Sequence, residues 1–243
     1  YSIQNFKSEA ELLANLRHSS LPRVIDYFYE DGKYYLIMDY ISGDDLGSIM
    51  EREGIPWLEE KRVLYWALEL CDVLIYLHSQ LPPVIYRDLK PSNIMLRDKD
   101  QKVMLIDFGL AQMVHAKPLS SEMAFGTVGY APPEQYAGRE EPRSDIYSLG
   151  VTLHHLLTGT PPGINFNFKP VREINSEVSP ELEAIVMKAL KKSIDLRYAT
   201  AMAMKEDLLL LAENLSLSDE ERGESRDVKI KEKFIRPIAA LKG

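Results

Sequence analysis

Four residues able to do chemistry stand close together near the middle of the chain: Asp88, Lys90 and Asn93, with Asp107 a short way on. A carboxylate can accept a proton from a hydroxyl held against it. A lysine beside it can neutralise negative charge that moves during a reaction. An amide oxygen and a second carboxylate are the hard oxygen ligands that Mg²⁺ takes. The first three lie in the run Tyr86-Arg87-Asp88-Leu89-Lys90-Pro91-Ser92-Asn93. The fourth opens Asp107-Phe108-Gly109, behind the apolar Val103-Met104-Leu105-Ile106. Arg-Asp and Asp-Phe-Gly are also ordinary turn compositions, and either alone recurs by chance. The spacing of Asp88, Lys90 and Asn93, followed by Asp-Phe-Gly after a β-like run, is much harder to obtain by accident.

Positioning these groups calls for a scaffold, and the pattern supplies one. Phe6, Leu12, Leu13 and Leu16 form an apolar stripe that predicts a helix over 5–17. Val24 to Tyr29 and Tyr34 to Ile41 read as strands, joined through Asp31-Gly32, a strong hairpin signal. Ser42 to Asp45 reads as a loop. Val63, Ala67, Leu70, Leu74 and Leu77 keep the helical period over 58–79, and Pro82-Pro83 ends it. Short β segments are expected around 84–86, 94–96 and 103–106, and a long irregular stretch over 109–134, of the kind that is usually functional. Three helices follow: one capped by Ser144 and closed by Gly159, one opened by Pro180, and one over 200–214. From Leu215 to Gly243 the chain is charged and poor in aromatics, which reads as a linker or tail.

The bulk composition narrows the partners. A net charge of −8 offers no broad field for nucleic acid or anionic lipid. The single cysteine, Cys71, excludes a disulfide framework and a cysteine metal cluster and fits a reducing compartment. No apolar run approaches the ~18 residues that span a bilayer, so no membrane contact by this chain is expected and a cytoplasmic location is. Anchoring by regions outside it stays open.

The two chemical runs together resemble the catalytic loop and metal-binding motif of protein kinases. Gly126-Thr127-Val128-Gly129-Tyr130-Ala131-Pro132-Pro133-Glu134 resembles the end of a kinase activation segment. Ser144-Asp145-Ile146-Tyr147-Ser148-Leu149-Gly150 resembles the start of the central helix beneath the catalytic loop, and Leu196-Arg197-Tyr198 supplies the late arginine. The resemblance covers Phe6 to about Asn214. It implies an α+β, bilobal fold: a remainder of the upper lobe over 1–41, the lower lobe over 42–214 and the charged tail over 215–243. It implies Asp88 as the base, Lys90 as the group neutralising the transferring phosphoryl, and Asn93 and Asp107 as ligands of Mg²⁺ (or Mn²⁺) with ATP. It also implies an ion pair between Glu134 and Arg197.

Further residues follow from the same resemblance. Phe6-Lys7-Ser8-Glu9-Ala10 looks like the start of the mobile helix whose Glu, here Glu9, pairs with the ATP-binding Lys; a plain surface Glu reads the same way. Met38 falls at the back of the nucleotide pocket, and Asp39, Tyr40 and Ile41 in the hinge that meets adenine. Asp45 is placed for the ribose, and Met95 is a further pocket residue. Met38 and Ile41 would equally be strand core. Tyr86 replaces the family's usual His, filling the space against Phe108, with Gly109 following. Arg87 is kept, so a phosphate on Ser120 or Ser121 could pair with it. Thr127 lies where family members hydrogen-bond the catalytic Asp and Lys.

Tyr-Arg-Asp-Leu-Lys-Pro-Ser-Asn with Ala-Pro-Pro-Glu-Gln resembles bacterial Ser/Thr kinases, and Lys90 favours Ser/Thr over Tyr as acceptor. Protein substrates bearing Ser or Thr are the implied partners. The family's Gly-rich loop and strand Lys have no counterpart in this sequence, so the chain as given is expected to transfer no phosphate by itself. A pseudokinase or scaffold module is the alternative. A small-molecule phosphotransferase would share the Asp, Asn and metal Asp but lacks the Gly-Thr…Pro-Pro-Glu segment.

Overall fold

The computed structural model describes residues 11, 13–31, 33–107, 112–113 and 127–221. Glu9, Phe108, Gly109, Ser120 and Ser121 lie outside the described residues, as does everything beyond 221. Residues 13–15 are helical, and Leu13 and Leu16 are buried.

The hairpin forms where Asp-Gly asked for it. Strand β1 (Val24–Glu30) pairs antiparallel with β2 (Lys33–Met38), and Asp31 in the turn takes a φ of 49°. Its outer face leaves Ile37, Phe28 and Tyr35 exposed, the two rings stacked 4.9 Å apart. β2 stops at Met38 rather than Ile41. The Asp39 N–H closes the last rung on the Arg23 carbonyl at 2.9 Å, and its carboxylate takes the Arg23 guanidinium. Beyond that rung Tyr40 stands 90% exposed, with no strand partner among the described residues.

Residues 42–45 are not simply a loop. Gly43–Asp45 form β3, which pairs antiparallel with β5 (Ile94–Arg97), and β5 pairs with β6 (Val103–Leu105). Gly-Asp-Asp is a composition depleted in strands, so pairing and not propensity makes this strand. Gly43 allows it: with φ 147°, a Cβ there would stand 2.0 Å from the Leu96 carbonyl oxygen. Asp45 then caps helix α1 (Leu46–Glu53), which ends at Gly54 and which the hydrophobic pattern alone does not announce.

Helix α2 (Glu60–His78) is the axis of the lower lobe. Its predicted stripe, Val63, Ala67, Leu70, Leu74 and Leu77, is fully buried. It packs against α4 (Pro142–Thr158) and α7 (Ala201–Glu221). Between them run β4 (Val84–Ile85), paired with β7 (Gln112–Met113), and the short helices α3 (Pro133–Tyr136) and α5 (Val171–Ile174). Helix α6 (Pro180–Ala189) starts on Pro180 as expected, capped by Ser179.

Two helix ends differ from expectation. α4 begins at Pro142, with Glu141 as N-cap and Ser144 completing a capping box from the third helical position, so Ser144 is not itself the cap. The proline, favoured at a first helical position, moves the start upstream. Gly159 does end this helix, in the left-handed conformation at φ 62°. α7 continues to Glu221, past Asn214. High charge marks a solvated segment, but neither Gly nor Pro interrupts the helix before Gly223.

Candidate active site

The catalytic-loop run sits between β4 and β5, and the β5–β6 hairpin brings its far end to Asp107. The Ile106 N–H bonds the Asn93 carbonyl at 3.0 Å, which ties the loop to the residue before Asp107. Asp107 itself is exposed at φ 61°. Arg87, just ahead of Asp88, has φ 73°. Non-glycine residues in this region cost of order 1–3 kcal/mol and persist only where neighbours over-determine them.

One face of α4 supports the loop around Arg87. Asp145, Ser148 and Thr152 recur at helical spacing on that face. The fully buried Asp145 carboxylate accepts the N–H of Tyr86 and of Arg87, each at 2.9 Å, and lies 2.8 Å from His78 Nε2. Thr152 Oγ1 donates to the Leu89 carbonyl at 3.0 Å, and Ser148 Oγ to that of Tyr130 at 3.0 Å. From α3, Gln135 Nε2 donates to the Arg87 carbonyl at 3.1 Å. The Arg87 guanidinium is paired with Glu140.

Asp88 is buried and held at both oxygens. Its Oδ1 accepts the Thr127 N–H at 3.0 Å and the Thr127 hydroxyl at 2.6 Å. Its Oδ2 accepts Asn93 Nδ2 at 2.9 Å and meets Lys90 Nζ at 2.9 Å. Lys90 also donates to Thr127 Oγ1 at 2.5 Å. Asn93 Nδ2 further donates to the Asp88 carbonyl at 2.9 Å. The Asn93 amide nitrogen is thus turned toward Asp88, and its oxygen is the acceptor it can offer a cation. The Asp107 carboxylate would add a second oxygen donor of the kind Mg²⁺ takes, an ion completed by phosphates and water rather than by an all-protein cage.

Tyr86 is fully buried and its hydroxyl donates to the Ile106 carbonyl. Burial, then the charges of Asp88, Asp107 and Asp145, push its pKa well up, so it stays a neutral donor. Next to the loop, Tyr130 hydrogen-bonds His155 Nδ1 at 2.6 Å. Burial raises the Tyr130 pKa to about 12 and lowers that of His155.

The residues expected on the nucleotide side are spread over the end of the hairpin, β3 and β5. Met38 lines an apolar pocket with Leu13, Leu16, Leu21, Pro22 and Val24. Since the Asp39 N–H is used in the hairpin, its carbonyl is the group left for a ligand. Ile41 is half-buried, and Met95 lies across from Asp45 and Met104 in the sheet. Asp45 already accepts from Ser48 N at 3.0 Å and Ser48 Oγ at 2.5 Å, so any contact with a ribose has to be shared with its cap.

At the base of the lobe Arg197 meets Glu134 through two parallel bonds, Nη1 to Oε1 at 2.6 Å and Nη2 to Oε2 at 2.9 Å.

Residues 2–222 match the sequence family described as protein kinase domain. The chain belongs to the protein kinase family. Among curated kinases it is similar to serine/threonine-protein kinase B of Synechocystis sp., with 36% identity over 217 residues, 84% of this chain and 37% of that protein. It is also similar to serine/threonine-protein kinase PknB of Mycolicibacterium smegmatis, with 34% identity over 228 residues, 86% of this chain and 36% of that one. The chain therefore spans little more than a third of the length of these relatives. The crystal structure of the Mycobacterium tuberculosis PknI kinase domain superposes with a TM-score of 0.69 at 26% identity, covering 85% of this chain and 77% of that one. The kinase fold is thereby shown, of the bacterial Ser/Thr kind in its relatives.

Three residues that hold the loop around Arg87 were not singled out from the sequence: His78, Gln135 and Glu140. His78 and Glu140 carry no local signal, being a helix-end histidine and one acid among several. Gln135 was visible only as part of Ala-Pro-Pro-Glu-Gln, with no role attached.

Proposed function

We propose that this chain supplies the catalytic machinery of an ATP-dependent protein kinase that phosphorylates Ser and Thr hydroxyls of proteins. The observation that carries this reading is the Asp88 carboxylate, which receives Lys90, Asn93 and both donors of Thr127. A carboxylate has about four lone-pair sites, and here all are engaged. An acceptor hydroxyl must therefore displace one donor, and Lys90 is the one with a use elsewhere. Once it turns to the γ-phosphoryl, the vacated lone pair of Asp88 takes the hydroxyl proton. The hydroxyl oxygen forms its bond to phosphorus as the bond to the ADP oxygen breaks, and Lys90 balances charge on the moving group.

Asn93 and Asp107 are the residues that would hold Mg²⁺, which neutralises phosphate charge when bound. Met38, the Asp39 carbonyl, Ile41 and Met95 are proposed to hold the adenine, and Asp45 the ribose. Lys90 in the catalytic loop and the named relatives support Ser/Thr as acceptors. Among the described residues no helix is long and apolar enough to cross a membrane.

In the full-length protein, Asp88→Asn should lower kcat by ~10³-fold or more while ATP affinity changes little, because Asp88 handles the acceptor and not the nucleotide. Near-normal phosphotransfer by that variant would defeat the assignment.

A further inference from the structure

We infer that Glu140 is a positioning residue for catalysis: its carboxylate holds Arg87, and through it Asp88, with no phosphate needed on the preceding segment. The inference rests on the kinase reading above. Arg87 is the residue whose left-handed backbone aims Asp88, and neighbours among the described residues grip both its backbone and its side chain. Asp145 takes its N–H, Gln135 its carbonyl and Glu140 its guanidinium.

The third grip is desolvated. The Arg87 and Glu140 side chains are 7% and 14% exposed. Glu140 Oε2 is buried and has no hydrogen-bond partner among the described residues, so the charge of this carboxylate is compensated chiefly by the guanidinium. Glu140 is also firmly mounted. It directly precedes Glu141, the N-cap whose reciprocal box with Ser144 fixes the entry to the core helix α4. Its position therefore follows the core of the lobe and not the segment between Asp107 and Thr127.

A switch by phosphorylation works where an arginine gains its counter-charge only when the phosphate arrives. Here a counter-charge for Arg87 is encoded in the chain. A phosphate on Ser120 or Ser121 would have to compete with it, and the loop should reach its working geometry in the unphosphorylated protein.

The test is steady-state kinetics on the full-length protein with ATP and a Ser/Thr peptide mixture, comparing wild type, Glu140→Gln, Glu140→Asp and the double variant Ser120→Ala/Ser121→Ala. Glu140→Gln should reduce kcat at least about tenfold with KM for ATP within about twofold, a split that general loosening of the fold would not give. Glu140→Asp should recover part of the loss. The serine double variant should keep wild-type kcat. Retention of kcat by Glu140→Gln overturns the inference. So does loss of activity in the serine double variant, which decides the matter even if Glu140→Gln fails to fold. A wild type that transfers no phosphate would defeat the kinase reading and this inference with it. An active wild type that is inactivated by Asp88→Asn but untouched by Glu140→Gln would defeat this inference alone.

Discussion

Replacing Arg197 by lysine keeps a positive charge at the base of the kinase lobe but removes the fork that uses it. The Arg197 side chain has no solvent exposure, and that of Glu134 has 12%. All five guanidinium N–H donors are in use. Two go to Glu134, and the others reach the carbonyls of Lys191 at 2.7 Å, Arg143 at 3.2 Å and Lys192 at 3.1 Å. Lysine has three donors on one nitrogen and cannot reach both sides of that set. Losing two bonds, at least one charge-assisted, gives about 2–4 kcal/mol for Arg197→Lys. Arg197→Ala strands the Glu134 carboxylate and should cost about 3–5 kcal/mol or more, a large part of a typical ~5–15 kcal/mol stability. For a domain of this size the lysine variant should melt roughly 5–15 °C lower. Guanidinium denaturation followed by circular dichroism gives the free energies, and Glu134→Gln with the double variant completes a cycle. Coupling above ~1 kcal/mol is expected, since the two side chains share one site. Single variants within ~1 kcal/mol of wild type, or costs that simply add, would refute this account of the ion pair.

Other outcomes follow from the same geometry. Asp107→Ala should remove Mg²⁺-dependent ATP binding in an isothermal titration, and unchanged Mg·ATP affinity would take Asp107 out of the metal site. Thr127→Val should lower kcat by roughly 10–100-fold and Thr127→Ser by only a few-fold, because the hydroxyl between Asp88 and Lys90 is what matters; equal kinetics for both would count against it. Burial lowers the pKa of His154 and His155 below 6.5, so the folded protein holds them neutral while the unfolded chain takes up protons. Stability should be fully present above that value and fall as pH drops below it, and a melting temperature flat between about pH 7.5 and 5.5 would contradict the assignment.

The long elements were legible because their signals are local. Helix α2 shows an uninterrupted apolar period, α6 opens on Pro180, and α4 closes on Gly159, although its start was read too late. β3 was hidden because Gly43-Asp44-Asp45 has no strand propensity, and its pairing partner lies some fifty residues on, in β5. Helix α1 was hidden by its shortness, though Asp45 with Ser48 is a capping signal in retrospect. Within the candidate site, Asp88, Lys90, Asn93 and Asp107 were singled out from spacing, and the first three meet in the structure. The groups that aim them were not, since Gln135, Glu140 and His78 each act on residues far off in sequence and are bland as types. The stripe Asp145, Ser148 and Thr152 is an intermediate case: polar residues at helical spacing in an otherwise apolar helix predict a buried hydrogen-bonded face, without saying what it holds.

The amides that Tyr86 and Arg87 donate to the buried Asp145 carboxylate have a kinetic consequence. Solvent can exchange those hydrogens only when the loop separates from the helix carrying Asp145, and that helix lies in the middle of the lobe. Deuterium should therefore enter Tyr86 and Arg87 at the pace of global opening, while the hairpin β1–β2 exchanges through cheaper local excursions. By chain geometry the catalytic segment is a loop, yet its lifetime is that of the hydrophobic core. Ageing or heating should then break the Asp88 cluster and unfold the helical lobe on one time course, with no long-lived species that has lost the loop and kept the rest.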